Sequence, residues 1–414
     1  MKRSHSIDTR RGRNPKDLIN PRHRIQHQAV SFGKIVDMRN LQTAFKAVKE
    51  NKGKHGSDGV TISDYEDNLN SNLQELKVEL ESATYTPDPL RKVVIHEGDK
   101  ERVISIPTIR DRSAQQAILN VIEPDIDAVF FDCSYGFRKG LGTENAMQHV
   151  LKLLREGHHW IIKGDISGCF DNIPHDGLTE CLSQYVKENE VLKLIKKMLR
   201  TGLAGPDHPY GIGTPQGAVI SPILANIYLH QLDQFATDRG YSIVRYADDW
   251  VMLFKTEIEA QKAAALTTHF IQHNLKLDSR DKEGKGISRI EEGFDFLGYT
   301  FYPGGRKPSK KAQLKFKRRL PDKIESHFRK GSNLDKRRDL TNLIEACNPV
   351  LRGWGNYYFR GSGARIFRDL DKEVYSIIKE TIECEEDLPT RKSIYSRGLI
   401  SLQELHRVQN NSRT

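Results

Sequence analysis

Three aspartates occupy positions at which carboxylates could act on a substrate. Asp165 follows the apolar run Trp160–Ile162 and precedes a turn at Gly168, and Asp248 and Asp249 lie side by side between two β-rich runs. Aspartate is also a common turn residue, because its side chain can hydrogen-bond to the nearby backbone. The sequence therefore leaves two interpretations of these positions open, turn formation and chemistry.

The chemistry that requires such carboxylates is nucleotidyl transfer assisted by two divalent ions. One ion lowers the pKa of an attacking 3′-hydroxyl and the other stabilises the departing pyrophosphate, with about 4 Å between the two ions. Mg²⁺ prefers hard oxygen ligands and retains several of its waters. Aspartates on adjacent strands would supply those ligands, so the hypothesis depends on the elements that carry them.

β-Strands are predicted at both carboxylate positions. WIIKGDISGCF begins as a short apolar strand that runs into Asp165, and SIVRYADDWVMLF predicts a hairpin with Asp248 and Asp249 at its tip. Two further strands, joined by the turn EGDK, are predicted over KVVIHEGDKERVISIP, and GFDFLGYTFY is strand-like. The carboxylates are thus expected at the ends of strands.

Helices are predicted before, between and after these strands. Within residues 35–82 they are indicated by apolar residues at helical spacing, namely Leu41, Phe45 and Val48, and then Leu69, Leu73, Leu76 and Leu80. Other predicted helices cover SAQQAILNVIEPDIDAVF, Glu144–Arg155, residues 176–203, ILANIYLHQLDQFAT, Ala260–Asn274 and most of the chain from residue 310 onward. This order of elements predicts the α+β fold class.

Basic charge is concentrated in two segments of this chain of 414 residues and net charge +10. Residues 1–24 carry eight Lys/Arg against two acids, and residues 306–338 carry fourteen against three. The rest of the chain is therefore net acidic. Concentrated basic charge is typical of proteins that bind RNA or DNA, although a solvated helix face is the alternative.

The cysteines and the apolar segments indicate the compartment. Cys133, Cys169, Cys181, Cys347 and Cys384 are scattered singly without a CxxC pair, which is typical of a reducing cytoplasm and gives no zinc site. No stretch approaches the roughly 20 apolar residues that cross a bilayer, and the N-terminus lacks the apolar core of a secretory signal. We expect a soluble, cytoplasmic protein without a membrane partner.

Motifs spread over about residues 35–375 resemble those of group II intron-type reverse transcriptases, in that family's order. RYADDW resembles their YxDD signature, and KGDISGCFDNIPH resembles the motif with the first catalytic aspartate. GIGTPQGAVISPILANIYLHQLD resembles the intervening motif, and FLGYTF resembles the strand after YxDD. RVISIPTIRDRSAQQAILNVIEP and SYGFRKGLGTENAM resemble the early fingers segments, and NKGKHGSDGVTISDYE resembles the N-terminal extension. NPVLRGWGNYYFRGSGARIFRDLDKEVY is similar to the maturase (thumb, or X) region of that family.

The resemblance implies a metal site and a nucleotide site. Two Mg²⁺ ions, with Mn²⁺ able to substitute, would be held by Asp165, Asp248, Asp249 and the carbonyl of Ile166. The implied dNTP-binding residues are Phe170, Gln216, Arg102, Arg138 and Lys282, the last at a poorly matching position. Phe170 would exclude a 2′-hydroxyl by steric clash, Gln216 would pack on the incoming nucleotide, and the guanidinium groups would grip phosphate oxygens. Phe170 could alternatively be a core residue and Arg138 a surface residue.

The resemblance also implies an RNA-binding region past residue 310. Its residues would be Arg318 and Arg319 in the basic segment and Arg352, Trp354, Tyr357 and Arg360 in the maturase-like motif. Aromatic rings mixed with arginines are suited to stacking on RNA bases and contacting the backbone. Packing of Trp354 into a helical core is the alternative interpretation.

A right-hand polymerase with an antiparallel palm sheet is the expected architecture. The predicted domains are a basic flexible arm (1–34), fingers with an N-terminal extension (35–160), a palm (161–303), a helical thumb or maturase-like region (304–375) and a short tail (376–414). Residues Asp369–Asp387 carry eight acids against two lysines, which is unsuited to gripping DNA. We therefore expect a compact form without the HNH endonuclease domain.

Several positions depart from the usual pattern of the family. RVISIP replaces RPLGIP, GAV replaces GGV, DISGCF replaces DIKGFF, and Lys139 replaces a frequent proline. None of these changes removes a catalytic carboxylate. We therefore expect polymerase activity to be retained.

The implied function is RNA-directed DNA polymerisation with maturase activity in intron splicing and mobility. Its partners would be an RNA template, an RNA or DNA primer, dNTPs and a structured intron or non-coding RNA. A free-standing relative serving phage defence, DNA repair or CRISPR spacer acquisition is one alternative. A non-catalytic RNA-binding splicing factor and a nucleotide cyclase are others. The three intact aspartates disfavour the splicing factor, and the fingers motifs and basic thumb disfavour the cyclase.

Overall fold

A computed structural model describes residues 30–97, 100–202, 211–280, 286–329, 338–382 and 390–411. The chain divides into two compact units, the first formed by Met1–His149, Lys163–Met252 and Gln261–Gly284 and the second by Val150–Ile162, Leu253–Ala260 and Lys285–Thr414. The predicted arm, fingers, palm, thumb and tail are not tested by this division and stay predictions. Residues 1–29 of the predicted arm lie outside the described residues.

Helices make up most of the described chain. They are α1 (Phe32–Ile35), α2 (Met38–Glu50), α3 (Ile62–Asp67), α4 (Leu69–Glu81), α5 (Ile109–Asp127), α6 (Thr143–Arg155), α7 (Cys169–Asn172), α8 (His175–Tyr185), α9 (Asn189–Gly202), α10 (Ser221–Asp238), α11 (Glu257–His269), α12 (Lys310–Phe328), α13 (Leu340–Tyr358), α14 (Ala364–Thr381), α15 (Arg391–Ser396) and α16 (Leu402–Asn411). A π-helical segment (Phe270–Asn274) continues α11, and a 3₁₀ helix spans Ile290–Glu292. Among the described residues, no helix is both long enough and apolar enough to cross a bilayer.

The strands form three sheets. They are β1 (Arg91–Glu97), β2 (Lys100–Ile106), β3 (Trp160–Ile166), β4 (Ser242–Tyr246), β5 (Asp249–Phe254), β6 (Ser279–Arg280), β7 (Ile287–Arg289), β8 (Phe294–Phe296), β9 (Tyr299–Tyr302) and β10 (Gly305–Pro308). The central sheet has the order β4-β5-β3-β6, and β7 also pairs with β3. β1 and β2 form an antiparallel pair, and β10, β9 and β8 form the third sheet. The predicted α+β class and antiparallel pairing are confirmed.

Local sequence explains the helices of the first unit. Asp37 caps α2 by accepting a hydrogen bond from the backbone nitrogen of Arg39 at 2.9 Å, as N-cap aspartates do. The helix then buries Leu41, Phe45 and Val48, which lie at helical spacing on one face. That face packs against α4 and α5, so the predicted helices of this region are confirmed.

The second unit has a helical core of its own. α12 begins after the N-cap Ser309 and buries Phe316, Leu320 and Ile324 on one face. The same apolar cluster includes residues of α13, α14 and α16, for example Leu343 and Phe367. The predicted helical character of the chain from residue 310 onward is confirmed in the described ranges.

Two segments that were each predicted to form one element form two elements in the structure. The single helix predicted over residues 176–203 is divided into α8 and α9, because Val186 adopts extended backbone (φ −100°, ψ 108°) and buries its side chain; residue 203 lies outside the described residues. GFDFLGYTFY forms β8 and β9, with Phe296 opposite Tyr299. Leu297 (φ 48°) and Gly298 (φ 80°) make the two-residue turn between them, and two consecutive positive φ angles are the geometry of a type I′ hairpin.

Candidate active site

β3 and β5 lie side by side in the central sheet and bring Asp165 close to the YADD hairpin. A Cβ atom on Gly164 would overlap the indole of Trp250, so these two residues are in contact across the strands on one face. Side chains alternate between the faces of a sheet. Asp165 and Asp249, each one position away, therefore project from the opposite face.

The electrostatics of Cys169 show that acidic groups gather beside it. Burial is the largest cause that raises the pKa of this thiol to about 12, and the negative charges of Asp248, Asp165 and Asp171 raise it further. Arg245 opposes them. Since Coulomb interactions fall off with distance, the carboxylates of both strand ends lie around the start of α7. The prediction that Asp165 and Asp248 act together in one site stays a prediction.

The donor chemistry of this cluster fits a hard divalent cation. Asp165, Asp248 and Asp249 are partly buried and offer carboxylate oxygens, whereas Ile166 is buried and could contribute only its main-chain carbonyl. No group of three or more His, Cys, Asp or Glu side chains arranged to hold a metal occurs among the described residues. Mg²⁺ is usually held by one or two carboxylates together with substrate phosphates and water, so two aspartates suffice on the protein side. The predicted metal ligation stays a prediction.

A buried arginine holds the YADD turn in place. Arg245 and Asp233 are both fully buried and joined by hydrogen bonds of 2.7 Å from Nε and 2.5 Å from an Nη. Arg245 also donates to Asn226 Oδ1 at 3.0 Å, to the Ala247 carbonyl at 3.0 Å and to Ser134 Oγ at 2.7 Å. The Ala247 carbonyl belongs to the turn, so the buried ion pair fixes the backbone next to Asp248.

Asp233 and Asn226 come from a polar stripe on α10. Asn226, His230 and Asp233 lie at i, i+4 and i+7, so they share one face of a helix that is otherwise largely apolar and buried. Neither this stripe nor Arg245 is among the residues predicted from the sequence. The available signals were charged residues inside an apolar helix and inside a β-rich run, positions at which a charge needs a partner.

Residues 133–136, the segment just before Phe137, contact β4 and the YADD turn. The backbone nitrogen of Tyr135 donates to the Arg245 carbonyl at 2.9 Å, and the backbone nitrogen of Arg245 donates to the Cys133 carbonyl at 2.8 Å. Asn226 donates to the Gly136 carbonyl at 2.7 Å. A Cβ atom on Gly136 would overlap the backbone nitrogen of Ala247. Glycine at 136 is therefore required by the close approach of two backbones.

Phe170 lies on α7 within five residues of Asp165 and is partly buried. Its ring meets the Phe137 ring edge-on, with centroids 6.2 Å apart and an interplanar angle of 82°. The Phe170 carbonyl accepts from the backbone nitrogen of Thr214 at 2.5 Å, which ties α7 to the TPQG loop. The predicted exclusion of a 2′-hydroxyl by Phe170 stays a prediction.

Gln216 connects that loop to the acidic cluster and to β2. Its side-chain nitrogen donates to Asp171 Oδ2 at 2.8 Å, and its carbonyl accepts from the backbone nitrogen of Ser105 at 2.7 Å. Gly217 has φ 107°, and a Cβ there would lie 2.9 Å from the Ser105 carbonyl oxygen. The predicted contact of Gln216 with a nucleotide is not tested.

The predicted phosphate-binding cations have different surroundings. Arg102 is exposed on β2, opposite Ile95. Arg138 is bound by Asp127, with Nε 2.6 Å from Oδ1, and donates to the carbonyls of Phe131, Ser134 and Asp127. Its contact with a triphosphate stays a prediction and would require some of those bonds to open. Lys282 lies outside the described residues.

The predicted RNA-binding residues all belong to the second unit. Arg318, Arg319 and Arg352 are exposed. Tyr357 is partly exposed and donates to the Leu297 carbonyl at 2.9 Å, and the guanidinium of Arg360 lies 5.3 Å from the ring of its neighbour Phe359. Contact of these residues with RNA is not tested.

Trp354 lies against the helical core of the second unit. Its ring centroid is 5.3 Å from that of Phe316, 4.5 Å from Tyr358 and 5.4 Å from Phe367. These contacts favour the alternative that it packs into a core, and its predicted stacking on RNA stays a prediction.

Comparison with known protein families gives two matches. The family described as reverse transcriptase (RNA-dependent DNA polymerase) matches residues 95–301. The domain described as group II intron, maturase-specific domain matches residues 317–397. The first match contains the aspartates, Phe170 and Gln216, and the second contains the predicted RNA-binding residues.

Similar curated proteins include Protein YkfC of Escherichia coli, which is 29% identical over 70% of this chain and 86% of its own length. The group II intron-encoded protein LtrA of Lactococcus lactis is 34% identical over 46% of this chain, and the match spans 32% of LtrA. Among solved structures, an apo telomerase from Candida tropicalis has a TM-score of 0.45 at 13% identity, covering 82% of this chain and 68% of that one. A partial Cas6-RT-Cas1–Cas2 complex has a TM-score of 0.38 at 23% identity, covering 59% and 42%.

Proposed function

Because the chain belongs to the reverse transcriptase family of group II intron type, whose fold class is the right-hand polymerase, we propose that it extends a primer 3′-hydroxyl with dNTPs on an RNA template. We further propose that its second unit binds structured RNA as a maturase. The polymerase proposal is supported by one observation: Asp165 on β3 and the Asp248–Asp249 pair at the start of β5 belong to neighbouring strands, and the charges of Asp165 and Asp248 both act on Cys169 of α7.

Mg²⁺ bound at this site would activate the 3′-hydroxyl for in-line attack on the α-phosphorus of the dNTP and stabilise the departing pyrophosphate. Asp165 and Asp248, with Asp249 and the Ile166 carbonyl, would hold the ions. The chain's own contribution is to keep these oxygens in place before substrate arrives, since preorganised charge needs no rearrangement during the reaction. The Arg245 contact to the Ala247 carbonyl serves that purpose at the turn.

The nucleotide would enter beside α7 and the TPQG loop. Gln216 is held by Asp171 and by the backbone of β2, so its position links the β1–β2 hairpin to the acidic cluster. Phe170 would lie under the sugar and select against a 2′-hydroxyl by size. The exposed Arg102 would contact the phosphates, because a planar guanidinium can grip two phosphate oxygens at once.

The second unit supports the maturase part of the proposal. The match to the maturase-specific domain covers most of its helical core. α12 carries exposed Arg318 and Arg319 on the side away from that core. Neutralising RNA phosphates with such cations makes binding depend steeply on salt.

Primer extension tests the polymerase proposal. Purified protein would be given dNTPs, Mg²⁺ and a primer annealed to an RNA template or to a DNA template of the same sequence. The proposal predicts templated extension on RNA that a chelator abolishes. A folded, RNA-binding preparation that extends neither primer would contradict the polymerase proposal and favour a protein that acts only in splicing.

Binding to a group II intron transcript tests the maturase proposal. Replacing Arg318 and Arg319 by alanine should weaken binding and make the slope of log K against log salt shallower by about 1 for every phosphate that the protein no longer neutralises. Lys262→Ala, which removes an exposed cation from α11 in the first unit, is the control and should leave the slope unchanged. Equal behaviour of the two variants would contradict the assignment of α12 to RNA binding.

A further inference from the structure

The backbone of Phe137 has an unfavourable conformation that burial of its side chain does not explain. Its backbone has φ 58°, and a bulky side chain with positive φ is a genuine outlier. Its side chain is 51% exposed, so little apolar surface is removed from water in return. Such backbone conformations persist only where the surroundings over-determine them, and they cluster at functional sites.

The neighbours of Phe137 in the chain hold this conformation from both sides. On one side, Gly136 lies against the Ala247 backbone and its carbonyl accepts from Asn226 at 2.7 Å. On the other side, Arg138 is bound to Asp127 at 2.6 Å and to the Ser134 carbonyl at 2.9 Å. Because both neighbours are held in this way, the backbone of Phe137, from which the ring projects, is fixed in position beside the YADD turn.

The ring contact of Phe137 is with Phe170. The centroids are 6.2 Å apart and the planes are almost perpendicular, at 82°. This edge-to-face arrangement is a favoured geometry for aromatic pairs. Phe137, whose neighbour Gly136 lies against the YADD turn, thus contacts the ring of Phe170, which lies on α7 after Asp165.

We propose that Phe137 is a positioning residue for sugar selection, which fixes the Phe170 ring in the orientation that rejects a ribonucleotide. The inference rests on the proposed polymerase function and on the role of Phe170 within it. A lone ring on the short helix α7 could rotate away from a 2′-hydroxyl. With the edge of Phe137 against it, the ring can yield only by breaking the aromatic pair.

Single-nucleotide incorporation by the full chain tests the inference. The ratio of kcat/KM for a dNTP to that for the matching rNTP would be measured for the wild type, Phe137→Ala, Phe137→Tyr and Phe137→Asn. We expect the ratio to fall by about 3- to 10-fold in Phe137→Ala, the range that an aromatic pair of this kind supports. Phe137→Tyr should retain the wild-type ratio, because the ring is kept.

Phe137→Asn separates the ring from the backbone, because asparagine tolerates positive φ better than most residues. It should lose selectivity as Phe137→Ala does. Phe137→Ala placed in a Phe170→Ala background should cause no further loss, since the pair acts as one unit. Leu266→Ala, which truncates an exposed apolar side chain on α11, is the control and should retain the wild-type ratio.

The outcomes distinguish this inference from the proposed function. A wild type that selects dNTPs, with Phe137→Ala and Phe137→Asn equally selective, would overturn the role of Phe137 alone. An equal loss of dNTP and rNTP use in those variants, with an unchanged ratio, would show a merely structural residue and overturn it too. A wild type that incorporates neither nucleotide would overturn the proposed function together with this inference.

Discussion

The Arg245 guanidinium and the Asp233 carboxylate form a two-point ion pair in the interior of the first unit, with N–O distances of 2.7 and 2.5 Å and no exposed surface on either side chain. The same guanidinium donates to the carbonyl of Ala247 at 3.0 Å. Ala247 has φ 57°, an uncommon conformation for alanine. The ion pair thus connects the interior of α10 to the turn that carries Asp248.

Arg245→Met should destabilise the protein strongly. The substitution leaves the Asp233 carboxylate buried without its partner, and breaking a buried pair in this way costs about 3–5 kcal/mol. Urea denaturation measures the free energy of unfolding. Arg407→Met, which breaks an exposed pair with Glu404, is the control and should change it by less than about 1 kcal/mol. Equally small effects of both variants would contradict the account of the ion pair.

Replacing both partners separates stability from positioning. Arg245→Met with Asp233→Leu removes both charges, and such apolar replacements of buried pairs are often neutral or stabilising. We expect the free energy of unfolding to recover relative to Arg245→Met while primer extension stays slow, because the Ala247 carbonyl still lacks its donor. Recovery of extension along with stability would show that Arg245 has no positioning role.

Gly136→Ala should impair extension through the backbone of the YADD turn. The new Cβ would overlap the Ala247 nitrogen, and backbone cannot move aside as a flexible side chain can. Gly142→Ala is a matched control, because its Cβ would meet only Asn145 Oδ1 at 4.0 Å. We expect a large fall in kcat for the first variant and none for the second. Wild-type kcat in Gly136→Ala would rule out the described docking of this segment.

Phe170→Ala or Phe170→Val should relax discrimination against ribonucleotides. Each substitution shortens the side chain that would lie under the sugar and so removes the steric clash with a 2′-hydroxyl. Competition between a dNTP and its rNTP during primer extension measures the effect. Unchanged sugar selectivity in both variants would refute this role and leave Phe170 as a packing residue.

His230 should make stability fall at acid pH. Burial is the main cause that lowers the pKa of His230 from 6.5 to about 4, with Arg245 and Arg138 contributing and Asp233 opposing. The folded protein therefore binds fewer protons than the unfolded chain in this range, so stability present above pH 6.5 is lost as the pH falls towards 4. Among the described residues, His230 Nδ1 has no hydrogen-bond partner.

His230→Phe tests this pH dependence while keeping the ring that stacks on Phe131 at 5.0 Å. The difference in unfolding free energy between variant and wild type should shift in favour of the variant as the pH falls from 6.5 to 4, by up to about 3 kcal/mol. Urea denaturation across that range measures it. A difference that does not change with pH would contradict the lowered pKa.

Periodicity sufficed for α2 and for the strands at Asp165 and the YADD turn, because one-sided burial and short turns leave local signals. α2 follows from the spacing of Leu41, Phe45 and Val48, and the strands at Asp165 and at the YADD turn follow from β-rich runs that end at carboxylates. The turn between β8 and β9 was missed, because Leu297 occupies a left-handed position that usually belongs to Asn, Asp or Gly.

The structure brings together those predicted site residues that lie close in the sequence or on adjacent strands, and their roles stay predictions. The network around Arg245 was not predicted, because its partners lie on other elements, Asn226 and Asp233 on α10 and Ser134 at 111 residues before Arg245, and only folding brings them to the guanidinium. A different reason applies to Arg138, whose partners lie only 4 to 11 residues away in the chain. Its position in the sequence motif does not reveal that Asp127 and three carbonyl groups already bind its guanidinium.

The most direct test of the proposed active site compares Asp248→Ala with the wild type in two assays, primer extension on an RNA template and binding of the same primer–template. We expect the variant to lose extension and to bind RNA with nearly wild-type affinity, because the proposed RNA-binding residues are the basic residues of the second unit and not Asp248. Extension at the wild-type rate by Asp248→Ala would contradict the assignment of the active site. Loss of both extension and binding would show that Asp248 acts in folding instead.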